Sequence, residues 1–235
     1  MIEKVVYKEN IIIALDYDDE SKIYEFCDQM DPSLCKLKIG KQVFTKYGPN
    51  IIDNLHKKKF EIFLDLKFHD IPTTVYKACI EAFNLGVWML NIHLLGGTEM
   101  INAAKQARDE VNKEAKLIGV TLLTSITDLN LDNIGLDERP TIIKKLTELA
   151  SKSNIDGVVC SPSDIKLIRE IDKTLLFVTP GIRLNTTKDD HSEVFTPRDA
   201  IKLGSNYIVI GRPLTEANNP MQIMHNIIDK IEQIG

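Results

Sequence analysis

Three charged residues crowd one short run, Phe63-Leu64-Asp65-Leu66-Lys67-Phe68-His69-Asp70-Ile71-Pro72. Asp65 and Lys67 are two apart, so on a strand their side chains share a face. If that face is a barrel interior, both charges are partly desolvated. At about 4 Å and an effective dielectric near 20, they attract by about 4 kcal/mol. A structural ion pair at a strand end would use the same two residues. Further charges at neighbouring strand ends favour chemistry instead. Asp70 lies past the strand, in the loop, where it can meet Lys67 of its own chain or a site in a neighbouring one. Lys38 should sit beside Asp65, because consecutive strands tend to be neighbours. The result is an alternating Lys–Asp–Lys–Asp array. It can hold sugar hydroxyls, keep Lys67 protonated and set negative charge next to a bound carboxylate. Lys36 and Lys41 are better candidates for surface lysines with buried stems.

A second group suits a phosphate. Thr179-Pro180-Gly181-Ile182-Arg183 closes one apolar run, and Ile208-Val209-Ile210-Gly211-Arg212-Pro213 closes the last one. Gly211 permits close backbone approach, and Arg212 offers a planar guanidinium with several donors. Asp16, His93, Thr121 and Thr124 also fall at the ends of such runs. His93 either supports the site or is a satisfied core histidine. His56, His69 and His225 lack metal-ligand spacing, and no metal is expected.

The elements that must position these residues alternate along the chain. Short apolar runs span Ile11–Asp16, Cys35–Gly40, Glu61–Lys67, Val87–His93, Lys116–Leu123, Gly157–Ser161, Leu175–Gly181 and Tyr207–Arg212. Their near-continuous apolarity suits buried parallel strands. Amphipathic stretches lie between them: Glu20 to Met30, Lys41 to Lys57, Pro72 to Leu85, Thr98 to Asn112, Arg139 to Lys152, Ser163 to Ile171, Pro197 to Leu203 and Pro220 to Ile234. Asp18 and Asp19 give the first an acidic, cap-like start. Gly86 and Gly204 stand where helix-terminating residues belong. Eight such units predict an α/β chain with one (β/α)8 TIM barrel domain over residues 1–235. An open doubly wound sheet is the rival. In a barrel, the C-terminal strand ends face the site, and the polar residues above gather there.

The net charge of −5 carries no basic excess, which argues against nucleic acid or an anionic membrane as partner. Cys27, Cys35, Cys79 and Cys160 form no CxxC pair and read as reduced core thiols. Met1 to Asn10 lacks an apolar leader core, and no run approaches membrane-span length. A cytoplasmic location is expected.

These motifs resemble those of the orotidine 5′-monophosphate decarboxylase family over nearly the whole chain. The DxKxxDI hallmark stands as Asp65, Lys67, Asp70 and Ile71. LxTS stands as Leu122 to Ser125, TPGIR as Thr179 to Arg183, and GRP as Gly211 to Pro213. The resemblance implies conversion of orotidine 5′-monophosphate to UMP without a cofactor, in a homodimer with shared active sites. It implies that Lys67 protonates C6 after carbon dioxide leaves, flanked by Asp65 and by Asp70 of the partner subunit. Ile71 and Thr74 would also cross that interface. Asp16 and Lys38 would hold the ribose, and Thr124 would contact the pyrimidine. Pro180, Arg183, Gly211 and Arg212 would complete the substrate-binding set around the phosphate. Leu184 to Val194 would be the closing loop. There the family usually has a glutamine after an acidic residue, whereas here Asp190 precedes His191, which is left unassigned. Metal-using relatives with a DxKxxD strand carry an acidic residue after the second strand, where Lys38 stands. A non-catalytic phosphate-binding barrel is the remaining rival.

Overall fold

The computed structural model describes residues 10–184 and 194–233. Residues 185–193, which hold His191 and most of the expected closing loop, lie outside the described residues, as do residues 1–9. The strands are β1 (Ile11–Leu15), β2 (Lys36–Gly40), β3 (Ile62–Phe68), β4 (Met89–His93), β5 (Lys116–Val120), β6 (Gly157–Val159), β7 (Leu176–Thr179) and β8 (Tyr207–Ile210). They close into a barrel in sequence order. The expected (β/α)8 architecture is therefore what the chain adopts, and the open sheet is excluded.

The apolar runs explain the strands. Every residue of β1 is buried, which a strand covered on both faces requires. Each such Ile or Leu contributes about 1.5–3 kcal/mol by leaving water. β1 pairs in parallel with β2, placing Ala14 opposite Lys38, and with β8, placing Ile13 opposite Ile210. β4, β5, β6 and β7 pair in parallel in turn, with Asn91 opposite Ile118 and His93 opposite Val120.

The helices are α1 (Glu20–Asp28), α2 (Lys41–Tyr47), α3 (Asn50–Lys57), α4 (Pro72–Asn84), α5 (Gly97–Val111), α6 (Asp128–Asn133), α7 (Arg139–Lys152), α8 (Ile165–Ile171), α9 (Pro197–Leu203), α10 (Arg212–Thr215) and α11 (Pro220–Glu232). Asp19 caps α1 by accepting from the Ser21 amide at 2.9 Å. Gly204 ends α9 in the left-handed region. One expectation needs correction. Lys41 to Lys57 is not one helix, because Gly48 turns the chain at φ +64° and Pro49 has no amide hydrogen to continue the ladder. Several strands also stop earlier than their apolar runs, so Asp16, Thr124 and Arg183 lie beyond strands rather than at their last residues. Lys36 is not an exposed lysine: it is 8% exposed and its ammonium reaches Glu61.

Packing groups the chain into two compact units, Met1–Phe63 with Thr179–Gly235, and Leu64–Val178. Among the described residues, no helix is long and apolar enough to cross a membrane.

Candidate active site

In the first unit, parallel register does the positioning. Ala14 pairs with Lys38, so Asp16, two residues further on, lies level with Gly40. Lys38 Nζ stands 3.7 Å from Asp16 Oδ1. Gly40 keeps this pair accessible: a Cβ there would lie 3.3 Å from Lys38 Nζ and 3.5 Å from Asp16 Oδ1. Its value as empty space emerges only from the folded chain. Lys38 itself is buried, which strips water from its stem and leaves the ammonium to polar partners.

The same unit holds the expected phosphate residues. Past β7, Pro180 and Gly181 make a turn with Gly181 at φ +80°. Arg183 donates its amide to the Phe195 carbonyl at 3.0 Å beside a bridge from Ile182 to Phe195. Its guanidinium thus projects from a connection rather than from β7. Thr179, although at the strand end, spends its hydroxyl on Ser205 Oγ at 2.9 Å. It ties β7 to the segment before β8. Gly211 caps the short α10, whose first residues are Arg212 and Pro213. The Tyr17 hydroxyl donates to the Thr215 carbonyl at 2.7 Å, fixing the end of α10 to the chain after β1. Burial first, and the nearby Cys27 thiol next, push the Tyr17 phenol up to about 12. It therefore stays a neutral donor at ordinary pH.

In the second unit, Lys67 Nζ meets Asp65 Oδ1 at 2.5 Å. The expected proximity holds, but simple strand alternation is not what creates it. Lys67 has φ +51°, so the backbone leaves the extended region there. Asn91 on β4 secures the departure. Its Oδ1 accepts from the Lys67 amide at 2.8 Å, and its Nδ2 donates to Asp65 Oδ1 at 2.6 Å. Asn91 is fully buried and was not among the expected site residues. The available signal was one polar residue inside the apolar run Val87–His93, since buried polar groups need partners.

Past β3, the exposed Asp70 accepts from the Ile71 amide at 2.6 Å. Ile71 is 65% exposed, and Thr74 lies exposed in the first turn of α4. The His69 and His93 rings contact each other at a centroid distance of 5.5 Å. Thr121, by contrast, is buried and donates to the Val159 carbonyl at 3.0 Å. Thr124 lies exposed beyond it. The structure thus brings Asp16 to Lys38 and Asp65 to Lys67. It turns the Thr121 and Thr179 hydroxyls inward to strand-end hydrogen bonds.

Comparison with known proteins bears on this arrangement. Residues 9–227 match the Orotidine 5′-phosphate decarboxylase / HUMPS family. An orotidine 5′-phosphate decarboxylase of Glaesserella parasuis is 45% identical over 225 residues, covering 94% of this chain and 98% of its own. One of Haemophilus influenzae is 46% identical over 221 residues, covering 92% and 96%. The crystal structure of orotidine 5′-phosphate decarboxylase from Lactobacillus acidophilus superposes with a TM-score of 0.84 at 35% identity, covering 94% of this chain and 98% of that one. On these grounds the chain belongs to the Orotidine 5′-phosphate decarboxylase / HUMPS family.

Proposed function

We propose that this chain decarboxylates orotidine 5′-phosphate to UMP in pyrimidine biosynthesis, using no cofactor, with Lys67 delivering a proton to C6. The observation that carries this reading is the Lys67–Asp65 contact, an ammonium held at 2.5 Å by a carboxylate that is 9% exposed.

The chemistry asks for such a cation. When the bond from C6 to the carboxylate breaks, carbon dioxide leaves and the electron pair stays on C6. Ordinary enolate delocalisation does not spread that charge, so the barrier reduction needed lies toward the high end of the roughly 8–23 kcal/mol that enzymes supply. An ammonium fixed beforehand stabilises the developing pair without reorganisation. Transfer of its proton to C6 gives UMP, and solvent returns a proton to Lys67. Asp65 holds the ammonium in place and sets negative charge beside the substrate carboxylate.

The remaining residues bind. Asp16 and Lys38 take the ribose hydroxyls. Thr124 contacts the pyrimidine. Pro180, Arg183, Gly211 and Arg212 serve the phosphate end, whose binding energy helps orient the reacting carbon. Asp70, Ile71 and Thr74 reach the site of a second copy, in a cytoplasmic homodimer built from one barrel domain per chain. The metal-using alternative places an acidic residue where Lys38 stands, and a buried ammonium there repels a divalent cation.

The test is an ultraviolet assay of the purified chain with orotidine 5′-phosphate, with and without a chelator. Equal substrate loss in both is expected. No turnover would overturn the reading. Turnover abolished by chelation and restored by magnesium would favour a metal-dependent reaction.

A further inference from the structure

Asn91 sits at the centre of β4 with no exposed surface, and both ends of its amide are committed. A backbone amide can only donate, so the atom facing the Lys67 amide at 2.8 Å must be the carbonyl oxygen. That assignment turns the NH2 group toward Asp65 Oδ1, at 2.6 Å. The same Asp65 oxygen also receives Lys67 Nζ at 2.5 Å. One side chain therefore grips both members of the pair, Lys67 through its backbone and Asp65 through its carboxylate.

The backbone grip matters because Lys67 has φ +51°, a conformation that L-residues with a side chain adopt sparingly. Such a conformation persists where surrounding contacts over-determine it. The Asn91 carbonyl is one such contact, taking the amide that the turned backbone withdraws from an extended course. The carboxylate grip matters because a donor on Asp65 Oδ1 limits rotation of the group against which Lys67 Nζ rests.

We propose that Asn91 is a positioning residue for the decarboxylation, acting through Asp65 and the Lys67 backbone to hold the ammonium at one place. The proposal rests on the reading that Lys67 and Asp65 carry the chemistry. Binding of the ribose and phosphate uses other residues, so loss of Asn91 strikes turnover rather than affinity. A displacement of about 1 Å in a reacting group costs up to roughly a hundredfold in rate.

Two variants test this. Asn91→Leu removes both hydrogen bonds while keeping the branched shape and the number of side-chain heavy atoms. Asn91→Asp is isosteric, keeps an acceptor for the Lys67 amide and replaces the donor to Asp65 with a like charge. For each, thermal unfolding verifies the fold, steady-state kinetics separates kcat from KM, and NMR follows exchange of the UMP C6 hydrogen in deuterium oxide. The expected result in a folded variant is a kcat reduced about 10- to 100-fold, KM within about threefold, and C6 exchange slowed in parallel. A folded variant with kcat within about twofold of the parent, or with KM alone raised, overturns the proposal. Failure of both variants to fold also overturns it, by making Asn91 a structural residue. Lys67→Ala is the control. If it retains turnover, the underlying reading falls and takes this role with it. If it is inactive while Asn91→Leu is normal, only the role of Asn91 falls.

Discussion

Lys38 Nζ stands 3.7 Å from Asp16 Oδ1, a buried ammonium beside a carboxylate whose side chain remains 61% exposed. The asymmetry suits a binding pair: the cation is held in place, and the carboxylate still has oxygens free to meet a ligand hydroxyl. Charge-assisted hydrogen bonds of this kind contribute about 1.5–3 kcal/mol. Lys38→Ala is therefore expected to lower kcat/KM about 10- to 150-fold. Asp16→Ala should act mainly by raising KM. Gly40→Ala, which adds a Cβ 3.3 Å from Lys38 Nζ, should do the same more mildly. Steady-state kinetics on the three variants checks the order, and an unchanged KM in Asp16→Ala would remove Asp16 from the ribose site.

Asp70 and Ile71 lie exposed past β3, Ile71 with 65% of its surface in water. A second copy of the chain would cover it and bring Asp70 to the partner's chemistry. Asp70→Ala and Lys67→Ala should each be nearly inactive alone. Mixed under conditions of subunit exchange, they should recover activity, because half of the sites in a hybrid dimer carry both native residues. Absence of recovery, with exchange demonstrated by mass, would place Asp70 in its own chain's site or in none.

The barrel was legible because its strands are rich in Ile, Val, Leu and Phe, and eight repeats of that pattern admit few folds. The charged motif was legible because Asp65, Lys67 and Asp70 interrupt it. What escaped has physical reasons. The turn at Gly48-Pro49 was visible in residue type, but the amphipathic pattern on either side ran through it. α6 begins with a capping box between Thr127 and Asn130 in a polar stretch with little apolar periodicity. No rule of composition assigns a positive φ to a lysine, so the turn at Lys67 could not be anticipated. Asn91 was hidden because its partners lie 24 and 26 residues earlier in the chain.

Arg108 and Asp156 should govern stability rather than turnover. Arg108, with a side chain 8% exposed, sends Nη1 to Asp156 Oδ2, which also accepts from the Leu117 amide at 2.8 Å. Leu117 lies near the start of β5 and Asp156 just before β6, at the strand ends opposite the chemistry. Asp156→Ala leaves a buried guanidinium without this partner, which costs about 3 kcal/mol. Calorimetry should show Tm lowered by about 6–12 °C, while kcat/KM at 25 °C stays close to the parent value. A large loss of kcat/KM with Tm unchanged would contradict this division of roles.

The four cysteines offer a check on the core. Burial pushes the thiols of Cys27, Cys35 and Cys79 up to about 12, and for Cys35 the neighbouring Cys27 and Asp31 add to it. Burial, and after it the charge of Asp164, also raises Cys160. The thiolate is the reactive form, so a disulfide reagent at pH 8 should find almost no fast-reacting thiol in the native protein. Four should react after unfolding in guanidinium. The same shifts set an alkaline limit. The folded state favours the neutral thiol, so its advantage is complete below the ordinary value of 9.0 and is lost as pH rises toward 12. Melting temperature should accordingly fall as pH climbs above about 9, and replacing Cys79 by Ala should flatten that fall. Rapid modification of a native thiol at pH 8 would mean that at least one of these side chains is open to water.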